Sequence, residues 1–288
     1  MKNINIKVTG VFMLRIVCWF VALLSVLPSW GDAIELRGEL MQGGVVFGQV
    51  PSGVELELDK QAVSVASNGQ FSLGFDRDAP AQMTLIVRDG HSVKQQKLAI
   101  TPRSYNIQRI EGIKKSIMSP SEKSLQRIRS EAKQVRRARA QVVKRTDFAG
   151  PFIWPLTGPI TGVYGSQRIY NGVPKRPHYG VDVAAATGTP VSTPAPGLVT
   201  LAHSGMFYSG GTVIIDHGHG LSSTLMHLSK VLVKVGDEVV PGDVVAEVGA
   251  TGRATGPHLD WRMNWFKARV DPELLVTPMQ KLQVNGSD

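Results

Sequence analysis

Two short stretches hold the residues best suited to chemistry. His178 and Asp182 stand in Arg-Pro-His-Tyr-Gly-Val-Asp, and His258 and Asp260 in Gly-Pro-His-Leu-Asp-Trp. Imidazole nitrogen and carboxylate oxygen suit zinc, and a hydrolytic zinc takes three protein ligands with one position left open. The two stretches read as halves of one metal site. Four residues of extended chain cover about 13 Å at about 3.3 Å each, so a straight strand does not bring His178 and Asp182 to one ion. The chain must bend between them, and Gly180 permits the bend while arguing against a helix. His258 and Asp260, two apart on a strand, share a face while Leu259 points to the core. His227, in Leu-Met-His-Leu-Ser, ends a strand candidate and precedes the polar pair Ser229 and Lys230. A histidine outside the ligand shell is suited to orient the attacking water or to hold charge in the transition state.

The elements that must position these residues are short strands. From Phe152 onward glycine and proline are dense, and strand candidates run over 189–192, 197–202, 212–216, 222–227, 231–235, 244–248 and 259–264. Turns such as Gly236-Asp237 and Pro241-Gly242-Asp243 separate several of them, which implies a compact all-β core. Between Ile34 and Ile110 apolar and polar residues alternate over 54–58, 61–65, 70–75 and 83–87, with hairpin signals at Asn68-Gly69 and Asp89-Gly90. A small β-sandwich of immunoglobulin-like type follows, with no cluster of ionisable groups and His91 as an exposed turn residue. Between the two β regions, Ser119-Pro-Ser-Glu122 has the capping serine, first-turn proline and third-position glutamate of a helix start. Leu125, Ile128, Ala132, Val135 and Val142 give that helix one apolar stripe, which Arg139 interrupts. The stripe must pack on something, either β region or another chain.

Composition sets the class. The 288 residues are 42% hydrophobic with a formal charge of +9, ordinary for a globular chain of two modest domains. Lys2, Lys7 and Arg15 precede an apolar run from Ile16 to Leu27, closed by Pro28 and Ser29 and followed by Gly31 and Ala33. This is the layout of an export signal cleaved near Gly31 or Ala33. The run falls short of the roughly 20 apolar residues of a spanning helix, so no transmembrane anchor is expected after cleavage. The only cysteine, Cys18, lies inside the segment to be removed, which leaves no disulfide. Residues 121–145 hold nine basic side chains against Glu122 and Glu131, and the remainder of the chain past the signal is about neutral. An exported protein rarely meets nucleic acid, so anionic envelope material is the partner that charge would suit, unless it is only a solvated helix face. The expected organisation is a signal peptide over 1–31, a β-rich accessory domain over 32–110, a basic helical linker over 111–150 and a β-sheet core domain over 151–288.

His178-x-x-x-Asp182, then His227-Leu-Ser, then Thr251-Gly-Arg-Ala-Thr-Gly-Pro-His258-Leu resemble the successive motifs of the lysostaphin and LytM type zinc endopeptidases. The frame is similar too, from Trp154-Pro-Leu and Tyr164-Gly165 through Gly188-Thr-Pro-Val191, Gly197-Leu-Val199 and Asp216-His-Gly218 to Gly236-Asp-Glu-Val239. The resemblance implies a LytM-type β-sheet core with a groove, a bound Zn2+, and hydrolysis of the peptide cross-links of peptidoglycan in the periplasm or cell envelope. It implies His178 and Asp182 as the first two zinc ligands, and His227 and His258 as the catalytic histidines. The family's third ligand is the second histidine of a His-x-His pair, and Asp260 occupies that position here. Leu225 stands where the family commonly has tyrosine. Aspartate binds zinc at about 2.0–2.2 Å, so Asp260 is chemically able to serve, although its carboxylate is shorter than imidazole. Two negative charges beside the ion would reduce its pull on water relative to a His-His-Asp shell.

The family also includes division-associated amidase activators that lost their ligands and act by binding, which is the alternative reading. Four of the five site positions remain here. A biotinyl or lipoyl carrier, suggested by the stretch from Val235 to Val244, lacks the lysine at the hairpin tip. His203, His217 and His219 are expected to be structural or exposed, Arg168 a surface residue rather than a holder of a groove carboxylate, and Trp261 and Trp265 packing residues rather than groove lining.

Overall fold

A computed structural model describes residues 33–111 and 121–279. The expected signal segment over 1–31 lies outside the described residues. Among the described residues no helix is long and apolar enough to cross a membrane.

The N-terminal region forms β1 (Leu36–Gly38), β2 (Val45–Gln49), β3 (Glu55–Leu58), β4 (Gln61–Val63), β5 (Gln70–Gly74), β6 (Gln82–Arg88) and β7 (Val93–Ala99). They make two antiparallel sheets, ordered β1-β2-β5 and β4-β3-β6-β7. Alternation puts Phe71 and Leu73 of one sheet and Leu56, Leu58, Leu85 and Val87 of the other into the core. Asp89-Gly90 closes the β6–β7 hairpin as expected, with Arg88 opposite Val93. Asn68-Gly69 differs. It makes a tight turn, but the strands on either side of it, β4 and β5, belong to different sheets. The turn is tied to Val50, whose N–H donates to the Gly69 carbonyl, so the chain crosses from one sheet to the other there.

A further strand, β8 (Ile107–Ile110), ties this region to the next. Past a 19-residue helix, α1 (Glu122–Ala140), come β9 (Ile160–Gly162), β10 (Gln167–Tyr170) and β11 (Val173–Pro174). β8 pairs in parallel with β10, which pairs with β11. The two β regions also share a hydrophobic cluster, and Gly74 of β5 sits so close to Trp265 that a Cβ there would lie 2.4 Å from the Trp265 Cβ. Arg103 reaches across to Asp271 at 2.8 Å, and the Arg77 Nε donates to the Gly165 carbonyl.

The remaining strands are β12 (Gly180–Ala184), β13 (Pro190–Ser192), β14 (Gly197–Met206), β15 (Gly210–Asp216), β16 (Leu221–Val231), β17 (Glu238–Val239), β18 (Val244–Val248), β19 (His258–Trp265) and β20 (Ala268–Val270). The main sheet runs β17-β14-β15-β16-β19-β12-β9, with β18 bridging β16 to β13 and β20 on β19. The fold is thus mainly β around a LytM-like sheet core. Leu259, Trp261, Met263 and Trp265 alternate into the interior from β19, and Trp154 meets Trp261 edge-on at 5.7 Å. The stretch 232–235 is not a strand; the chain leaves the sheet after Val231.

Helix α1 is capped by Ser121, whose Oγ accepts the Ser124 N–H, and the expected start at Ser119 lies outside the described residues. The helix packs on the sheet at β14 and β15, where Ala138 and Val135 meet Leu201, Met206 and Ile214. Its buried side is rotated from the expected stripe. Glu131 is buried because it accepts the Phe207 N–H at 2.8 Å, and Val142 lies exposed beyond the helix end.

Candidate metal centre

The register of two strands builds the site. β12 runs antiparallel to β19 with Asp182 directly opposite Asp260, so the two carboxylates emerge side by side from one face of the sheet. Asp182 is flanked on its other side by Gly162 of β9, where any Cβ would collide with the Asp182 carboxylate. A Cβ at Gly180 would lie 2.6 Å from the Asp260 Oδ1. Gly180 therefore opens space for a carboxylate. The bend lies ahead of it, because β12 starts at Gly180 and His178 precedes the strand. There the His178 N–H donates to the Ser166 carbonyl and the His178 carbonyl accepts the Gly165 N–H, both at 2.8 Å. This clamp sets the His178 Nε2 3.2 Å from the Asp182 Oδ1.

One potential ligand atom from each of His178, Asp182 and Asp260 lies within 4.8 Å of the other two. The His178 Nε2 and Asp182 Oδ1 are buried and make no hydrogen bond. Buried polar atoms without partners are costly, and a nitrogen and two carboxylates aimed at one point are what a zinc-type cation requires. The donor set fits such an ion.

Two histidines flank the cluster. The rings of His227 and His258 lie 4.8 Å apart. The His227 Nδ1 donates to the Thr251 carbonyl and the His258 Nδ1 to the Gly256 carbonyl, each at 2.8 Å. A carbonyl only accepts, so both Nδ1 atoms carry hydrogen and each neutral ring keeps its Nε2 lone pair. The His258 Nε2 is 3.9 Å from the Asp182 Oδ1, which aims it at the ligand cluster. Burial, partly opposed by the bond to Thr251, holds the His227 pKa below its ordinary value and favours the neutral base. His227 does not end its strand. It sits within β16 at a bulge, where Met226 and His227 oppose Thr212 alone, and its φ is 64°. A non-glycine residue in the left-handed region costs about 1–3 kcal/mol, and such strain gathers at functional sites.

Arg262 completes the arrangement. Two residues beyond Asp260 on the same face of β19, its Nη2 lies 2.6 Å from the Asp260 Oδ2 and its Nε 2.9 Å from Oδ1. Burial pushes the Asp260 carboxyl upward, but the Arg262 guanidinium more than offsets this and holds it below the usual carboxylate range. With Asp182, Asp260 and Arg262 the cluster carries one net negative charge. A single aspartate beside two neutral histidines would carry the same.

The sequence model of peptidase family M23 matches residues 176–272, which span every one of these side chains. The chain carries a peptidase family M23 domain. A solved Pseudomonas aeruginosa structure attributed to peptidase M23 is 28% identical, with a TM-score of 0.66 over 83% of this chain and 95% of that one. That likeness extends through the N-terminal sheets as well as the M23 domain. Among curated proteins, the peptidoglycan DD-endopeptidase ShyA of Vibrio cholerae is 42% identical over 87 residues, 30% of this chain and 20% of that protein. The DD-carboxypeptidase/endopeptidase Mpg of Neisseria meningitidis is 37% identical over 107 residues, 37% of this chain and 24% of that protein. An uncharacterized metalloprotease of Haemophilus influenzae is 36% identical over 141 residues, 49% of this chain and 27% of that protein. The chain thus spans about a quarter of the length of the curated relatives it matches.

The other residues singled out in the sequence lie in framework roles or on the surface. His217 is buried between the Pro196 carbonyl and the Ser223 hydroxyl, and His219 is buried against Phe148. His203 accepts the Gly205 N–H. Arg168 is exposed and meets Gln108 on β8, away from the ligand cluster. Leu225, Trp261 and Trp265 are core residues. Arg262 escaped sequence reasoning, although two-residue spacing from Asp260 was the available signal. Gly162 also escaped, because nothing local ties it to a carboxylate twenty residues later.

Proposed function

We propose that the M23 domain is a zinc-dependent endopeptidase acting on the peptide cross-links of peptidoglycan, working in the cell envelope. The observation that carries this reading is the register that sets Asp182 opposite Asp260, with His178 clamped beside them and two tautomer-fixed histidines at the edge. The names of ShyA and Mpg support the substrate class. His178, Asp182 and Asp260 would hold the ion. When bound, zinc supplies Lewis-acid chemistry for an amide carbonyl and for water.

The chain's own residues supply the rest. The His258 and His227 Nε2 atoms, left free by the Nδ1 bonds, accept a proton from the attacking water and return it to the leaving amine. Their conjugate acids place positive charge beside the oxyanion that develops on the carbonyl oxygen. Arg262 fixes the Asp260 carboxylate through a two-point fork and offsets the second negative charge of the shell. The N-terminal sheets would serve as an accessory region and α1 as the linker. Its exposed Arg129, Lys133, Arg136 and Arg137 are open to anionic envelope material.

The Arg262 fork also favours a second reading, because a carboxylate satisfied by a guanidinium has less need of a metal. That reading is a non-catalytic module that binds peptidoglycan or a cell-wall amidase. Metal analysis together with digestion of purified peptidoglycan separates the two. Stoichiometric zinc and release of cleaved muropeptides, both lost in His178→Ala, are expected. Intact peptidoglycan and no zinc in the wild-type protein would establish the module instead.

A further inference from the structure

Beyond Asp260, the ligand-bearing face of the sheet becomes cationic. Arg262 and Asn264 follow Asp260 at two-residue spacing along β19, with Thr224 of β16 opposite Arg262 and Arg269 of β20 opposite Asn264. The last turn of α1 lays Arg139 onto the same face, where its Nη2 donates to the Thr224 hydroxyl at 2.8 Å. Three guanidiniums from three elements therefore meet next to the proposed metal ligands.

Their counter-charges do not balance. Asp260 is occupied by Arg262. The Arg269 Nη1 donates to a neutral acceptor, the Asn264 Oδ1, at 3.0 Å, and its ring neighbour is Tyr179 at 5.7 Å. Asp76 takes the Arg269 main-chain N–H rather than its guanidinium. The Arg139 Nε is buried with no hydrogen-bond partner. Burial, then Arg269 and Arg262, push Arg139 down to about 9, and burial followed by Arg262 and Arg176 also lowers Arg269. A cation on His178, Asp182 and Asp260 would neutralise those two carboxylates and leave Asp76, near Arg269, as the remaining counter-charge to three arginines. Buried charge of one sign is costly unless something brings the other sign. Planar guanidinium forks match a carboxylate.

We propose that Arg139, Arg262 and Arg269 form a subsite that binds a free carboxylate of the peptide substrate beside the metal centre. This rests on the peptidase reading above. The helix that links the two β regions is then part of the substrate site. The carboxylate is either the C-terminus of the peptide or an acidic side chain, and the subsite recognises the group that the two share. Arg262 also holds Asp260, so Arg139 and Arg269 are the residues that isolate the subsite.

The test uses the full chain and three synthetic cross-linked stem peptides: one with all carboxylates free, one with a C-terminal carboxamide, and one with its side-chain carboxyl amidated. Binding is measured by calorimetry and cleavage by chromatography, with zinc content and melting temperature recorded for each variant. Arg139→Gln and Arg269→Gln should each weaken binding of the free-carboxylate peptide about tenfold or more, as loss of a charge-assisted hydrogen bond implies. KM should rise with kcat within about twofold, and Arg139→Lys should recover part of the loss. One of the two amidated peptides should bind the wild-type protein as weakly, lose nothing further in the variants, and so identify the carboxylate. Arg139→Gln should melt no lower than wild type, since it removes an unpaired buried cation. Equal weakening for all three peptides, no weakening for any, or tighter binding of all three by Arg139→Gln would overturn the subsite. If the wild-type protein binds the peptides but cleaves none, the peptidase reading fails while the binding comparison still decides the subsite.

Discussion

Replacing Asp260 by histidine installs the residue type that the family resemblance implies at that position, yet the structure predicts that this change alone damages the protein. Arg262 has a side chain only 24% exposed, and its charge partner Asp260 is 3% exposed. In Asp260→His the guanidinium stays among Arg139 and Arg269 without its hydrogen-bonded carboxylate, and only the more distant Asp182 acts on it. Removing one partner of a buried ion pair costs about 3–5 kcal/mol, and the partial exposure of Arg262 places this case near about 3 kcal/mol. For a domain of this size that corresponds to a melting-temperature drop of about 6–12 °C. Arg262→Gln should cost a similar amount, because it leaves Asp260 buried and unpaired. The double variant removes both charges, so its loss should fall short of the sum of the singles by about 2–3 kcal/mol. Chemical unfolding in the presence of a chelator measures the cycle without a contribution from metal. Zinc competition supplies a second readout: Asp260→His should bind most weakly, and the added Arg262→Gln should recover affinity by restoring one net negative charge to the cluster. A coupling below about 0.5 kcal/mol, or Asp260→His holding zinc as tightly as the double variant, would refute the pairing of these two positions.

Three more outcomes can be measured. His227→Ala and His258→Ala should each lower the peptidoglycan cleavage rate by about 10²–10⁴-fold with zinc content unchanged, since neither ring belongs to the proposed shell. Gly162→Ala should weaken zinc binding while melting shows a folded protein, because the new methyl group displaces the Asp182 carboxylate. Asp216 and His217 titrate in opposite senses: burial raises Asp216 from 3.8 to about 6 and lowers His217 from 6.5 to about 4. Near pH 5 the folded state holds a proton on Asp216 and the unfolded state holds one on His217, so their pH dependences cancel. Asp216→Asn should expose the histidine, with stability falling by about 1.4 kcal/mol per unit as pH drops through that window. A His217→Gln variant should show the reverse slope, and flat profiles for both would contradict these ionisation states.

The parts of the site that sequence reveals are those whose neighbours are local. His258 and Asp260 share a face because two-residue spacing on a strand requires it, and Leu259 turns inward for the same reason. The opposition of Asp182 and Asp260 is a pairing across nearly eighty residues, and only the β12–β19 register discloses it. β12 itself escaped the strand reading, since Gly180–Ala184 is a short run opened by a glycine whose value lies in what packs above it. The bulge at His227 is likewise a property of how β15 meets β16, not of the residues around it. In the N-terminal region Asp89-Gly90 closes its hairpin, whereas Asn68-Gly69 turns the chain between two sheets, because Val50 captures the turn. The β3–β4 connection lacks a glycine: Asp59 and Lys60 both take positive φ there.

Helix α1 shows why a pattern can be correct and still misassign a residue. Arg139 interrupts an apolar stripe and, by periodicity alone, counts as an irregularity on a helix whose partner is unknown. Once the helix lies on β14 and β15, that irregularity reaches the face that holds the proposed ligands, in contact with Thr224, whose strand partner is Arg262. The same geometry bears on the replacement of histidine by aspartate at position 260. A histidine there would take from Arg262 its hydrogen-bonded carboxylate, whereas aspartate neutralises that arginine and offers an oxygen to the proposed ion with the same side chain. On the proposed reading, the aspartate and the arginine two residues later are thus parts of one solution, in which a cationic wall stands beside the candidate metal site and one of its charges is matched.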